Sequence, residues 1–77
     1  MNRQQLDEQL LKDREDILLL TNYFKLNVPP IEKLRKNYAI CPASDEILTL
    51  RFLAMTLRRC MEDHVDDNLL ERLKNAD

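Results

Sequence analysis

DEILTLRFLAMTLRRCME, residues 45–62, is the stretch on which the fold turns. Its apolar residues cover nearly the whole circumference of a helix through Leu57, with Arg51, Arg58 and Arg59 marking the wet side. A helix apolar on most sides has to lie between neighbours, so this segment predicts a central helix. Ser44 stands ahead of it as N-cap, and Asp45 and Glu46 sit where the positive end of a helix favours carboxylates.

Upstream, Leu6, Leu10, Ile17, Leu20 and Phe24 repeat at three-and-four spacing and predict a first helix over about 3–25. Asp13 occupies the seam between Leu10 and Ile17, which argues against a continuous coiled coil. Ile17–Leu20 is apolar on more than one face and implies burial on two sides. Val28-Pro29-Pro30 ends that helix, because residues preceding proline are pushed out of helical space. Pro30 suits the first turn of a short helix over about 30–39, with Ile31, Leu34 and Tyr38 as its apolar stripe. Downstream, Leu69, Leu70 and Leu73 predict a last helix over about 67–75, with a break expected at 63–67.

The whole-chain composition agrees. Seventy-seven residues without one glycine form a single domain, 1–77, in which tight hairpins and glycine-lined phosphate loops lack their usual residue. The expected fold is all-α: a small bundle of three to four helices, the long first and third antiparallel. Apolar residues make up 44% and charged ones 34%, which is the balance of a globular chain. The longest apolar run, Ile17–Leu20, is far too short to span a membrane, and the N-terminus has no apolar block of a secretory signal. A cytoplasmic protein with reduced thiols is the resulting expectation.

Chemistry-bearing groups are few. Cys41, Cys60 and His64 supply three metal ligands where a closed zinc site needs four, so no metal is expected. Cys41-Pro42 matches a dipeptide used in haem sensing, but two residues occur together too often by chance to imply a cofactor. One histidine, no glycine loop and no nucleophile beside a base argue against an enzyme.

Charge is uneven: residues 25–41 carry a net +3 and residues 60–77 a net −4, within a whole-chain −2. A short helix, a turn and a longer helix over 31–54 outline a helix-turn-helix, with basic residues between 33 and 59 to meet phosphates. Against nucleic acid stand Asp45 and Glu46 at the start of the would-be recognition helix, and its apolar middle. The apolar girth exceeds what a few short helices readily hide, and small cores without disulfide or metal commonly oligomerise. The leading expectation is therefore a non-enzymatic interaction module, an adaptor, regulator or assembly chaperone. It presents Ile17, Leu20 and Phe24, or Phe52 and Met55, to a protein partner or to a second copy in a homodimer.

Overall fold

The computed structural model describes residues 2–39, 43–63 and 68–76, and of Asp63 only the backbone. Five helices, α1 (Arg3–Lys12), α2 (Arg14–Phe24), α3 (Ile31–Asn37), α4 (Asp45–Asp63) and α5 (Leu69–Asn75), account for the regular structure, with no strand among the described residues. The all-α expectation holds. The count of three to four does not, because the segment expected as one helix over 3–25 is two.

The division falls at Asp13, whose φ of −87° and ψ of 5° leave helical values for a single residue. Backbone hydrogen bonds continue on both sides: Asp13 N–H donates to Gln9 at 2.9 Å, and Ile17 N–H donates to Asp13 at 2.9 Å. Gln9 Nε2 also donates to Asp13 Oδ2 at 3.0 Å. A carboxylate on an apolar seam resists burial and bonds nearby groups instead, so the regular helix is interrupted where the seam is.

Local signals set the other ends. Asn2 and Gln5 form a reciprocal capping box at the start of α1. Ser44 Oγ accepts from Ile47 N–H at 3.3 Å, placing the cap of α4 where the sequence put it. Helix α2 ends in a Schellman arrangement: Leu26 N–H donates to Thr21 at 3.1 Å and Lys25 N–H to Asn22 at 3.2 Å. Lys25 takes the left-handed position there, at φ 53°, which glycine usually fills. Helix α4 is described as far as Asp63 and α5 from Leu69; residues 64–67, within the stretch where a break was expected, lie outside the described residues.

Helix α4 is central, touching α1, α2 and α3, while α5 packs on α2. Leu10, Ile17, Leu20, Leu50, Leu53, Leu57 and Leu69 form the main core cluster. Leu34 and Leu48, both at 0% exposure, are buried as well. The expectation that Arg51 faces water is corrected: it is buried, its guanidinium paired with Asp7 of α1. Periodicity scores an arginine as polar and is blind to an acid 44 residues away that lets it turn inward.

A candidate interaction groove

Leu6 and Leu10 lie one turn apart on α1, so both side chains point toward α4. Opposite them α4 presents Ala54, Met55 and Arg58, and Tyr38 closes the far side from the end of α3. Together they bound a cavity of about 430 Å³. Tyr38 Oη donates to Met55 Sδ at 3.0 Å, holding the flexible thioether in place. Arg3, Arg51 and Arg58 are the charged residues of this cavity, with no carboxylate in its lining. Arg51 is paired there with Asp7 of α1.

A second cavity, of about 700 Å³, adjoins the first and shares Leu6, Leu10, Ala54 and Arg58 with it. Its floor includes Ile17, Leu20 and Leu57, and its acidic lining comes from Asp13, Asp16 and Glu62. Asp16 is paired with Lys74 of α5 at 3.0 Å. The two cavities thus form one apolar groove, lined on one side by Arg3 and Arg51, on the other by Asp13, Asp16 and Glu62, and by Arg58 in both.

The five interaction residues expected from the sequence are spread through this arrangement. Ile17 and Leu20 are 6% and 7% exposed, inside the core of a single copy, where they also floor the acidic half of the groove. Phe24 and Phe52 are half-buried against the same core. The Phe24 ring meets Tyr23 edge-on at 5.0 Å. Met55 alone of the five is open to water, at 53% exposure. Leu6, at 42%, joins it in the groove and was not among those expected, nor were Arg3 and Glu62.

A third and smaller cavity, about 290 Å³ between Leu18 and Ile31, is crossed by the Arg14–Glu46 pair at 2.5 Å. Of the candidate metal ligands only Cys60 lies within the described residues, half-buried on α4; Cys41, His64 and the Cys41-Pro42 dipeptide lie outside them. Among the described residues no helix is long and apolar enough to cross a membrane. No protein-family model matches the chain, and neither a curated protein nor a solved structure matches it.

Proposed function

We propose that the chain is a non-enzymatic helical interaction module of the cytoplasm, acting through the apolar groove between α1 and α4. One observation carries this reading: the molecule exposes more surface than a chain of its mass needs to. Its accessible area is 6045 Å² for 9.2 kDa. A compact monomer of that mass has about 4900 Å², leaving an excess of roughly 1100 Å². The radius of gyration, 13.2 Å, likewise exceeds the roughly 11.5 Å of a compact chain of this length. A standard interface covers about 800 Å² on each partner, so the excess is of the size that one docking surface accounts for.

The antiparallel arrangement of the N-terminal arm against α4 is part of this reading. It is supported by chain order across the contact: Asp7 pairs with Arg51, whereas the later Arg14 pairs with the earlier Glu46. The nucleic-acid alternative has less support. Asp45 pairs with Arg35 and Glu46 with Arg14, so the start of α4 is engaged with the protein itself. Leu50, Leu53 and Leu57 along the middle of α4 belong to the core.

A photo-crosslinking residue at Met55, introduced in the cell that makes the protein, tests the reading. A discrete adduct from position 55, absent when the same group replaces the exposed Asn37 of α3, is the expected result. No adduct, or the same smear from both positions, overturns it.

A further inference from the structure

Helix α1 is held on α4 by less than the two helices that share α4 with it. Its only apolar residues are Leu6, Leu10 and Leu11, and of these Leu10 alone is buried. Helix α2, of similar length, seats both Ile17 and Leu20 in the core, and the seven-residue α3 still buries Leu34 completely. Leu6 and Leu10 border both of the larger cavities, so α1 rests on α4 with open space along the contact. What Leu10 does not supply comes from one ion pair, the Asp7 carboxylate with the buried guanidinium of Arg51. Segments that open well before the whole molecule unfolds are those with few buried apolar contacts.

We propose that α1 is a hinged arm, latched to α4 by Asp7 and Arg51, that opens as a unit while α2, α3 and α4 stay folded. Asp13 is the hinge. It is the single residue between α1 and α2 that leaves helical geometry, and Ile17 anchors α2 in the core one turn beyond it. A ten-residue helix is marginal on its own in water, so α1 unwinds when it leaves α4, and docking and helix are lost together. Opening returns Arg51 to water, which offsets part of the lost pairing. It also uncovers Ala54 and the wall of α4 on which Leu10 sits, so one side of the groove is a moving part. The arm moves in this way whether or not anything binds the groove.

Amide hydrogen exchange of the native full chain, read residue by residue in urea up to about 2 M, tests the arm. The amides of Leu10, Leu11 and Asp13 should be at least about a hundredfold less protected than that of Leu53 in the middle of α4. They should be protected alike, with little dependence on urea, because opening one helix exposes little surface. In Asp7→Ala the same amides should exchange at least about tenfold faster, since the closed arm then buries an unanswered guanidinium. Leu53 should lose no more than the factor by which α1 was protected in wild type, because the latch no longer matters to the rest of the fold once the arm is open. Wild-type α1 amides as protected as Leu53, and as steeply dependent on urea, overturn the arm. Protection that climbs steadily from Leu6 to Asp13 is fraying from one end and overturns it too. Unchanged α1 exchange in Asp7→Ala overturns the latch.

Discussion

Arg51 carries the most instructive burial in the molecule, at 8% exposure in the middle of α4 with its charge directed at Asp7. Taking a guanidinium out of water is costly, and the Asp7 carboxylate and the apolar wall beside the arginine stem offset that cost. Removing the acid alone should therefore be worse than removing both partners. Asp7→Ala is expected to lower unfolding free energy by about 2–3 kcal/mol, toward the low end for a buried pair because Asp7 keeps partial contact with water. The double change Asp7→Leu with Arg51→Met should recover most of that loss. Urea melts of the three proteins decide it: if Asp7→Ala melts like wild type, the pair contributes nothing to holding α1 on α4. The sequence alone showed an arginine in an apolar helix. Its inward turn depends on a pairing 44 positions away in the chain, and no periodicity carries that information.

Helix ends were the most legible feature at the level of the element. Ser44 caps α4, Pro30 precedes α3, and α2 stops at Phe24, within one residue of the end expected ahead of Pro29 and Pro30. The central place of α4 was legible too, because a helix apolar on most sides has only one kind of position to occupy. The split of the first segment was half-legible: Asp13 stood out on the seam, but whether the helix tolerates it or bends depends on how both arms meet α4. Helix α2 ends on a choice forced by composition. With no glycine in the chain, Lys25 holds the left-handed turn, where a Cβ costs roughly 1 kcal/mol. Lys25→Gly keeps both hydrogen bonds of the Schellman turn and relieves that cost, offset in part by the greater freedom of glycine in the unfolded chain. A net gain of about 0.5 kcal/mol is expected, read as a higher urea midpoint at unchanged slope. A lower midpoint would mean that the lysine side chain contributes more than its backbone costs.

The molecule as a whole measures 37 × 24 × 23 Å, long for its mass, and its exposed ion pairs and its apolar core contribute very unequally to holding it together. Arg14–Glu46, Arg35–Asp45 and Lys74–Asp16 join side chains mostly about half exposed, where water and ions weaken an ion pair to between about 0 and 1 kcal/mol. The buried cluster around Leu53, which is 1% exposed, carries the fold. Salt tests that division. Raising sodium chloride from about 0.05 to about 0.5 M shortens the screening length to a few ångströms and removes most of the attraction within exposed pairs. The unfolding free energy should change by less than about 1 kcal/mol over that range, since little of it comes from exposed ion pairs. Urea melts at the two salt concentrations read it. If instead stability falls steeply with salt, the exposed pairs maintain the fold and the apolar cluster alone does not suffice.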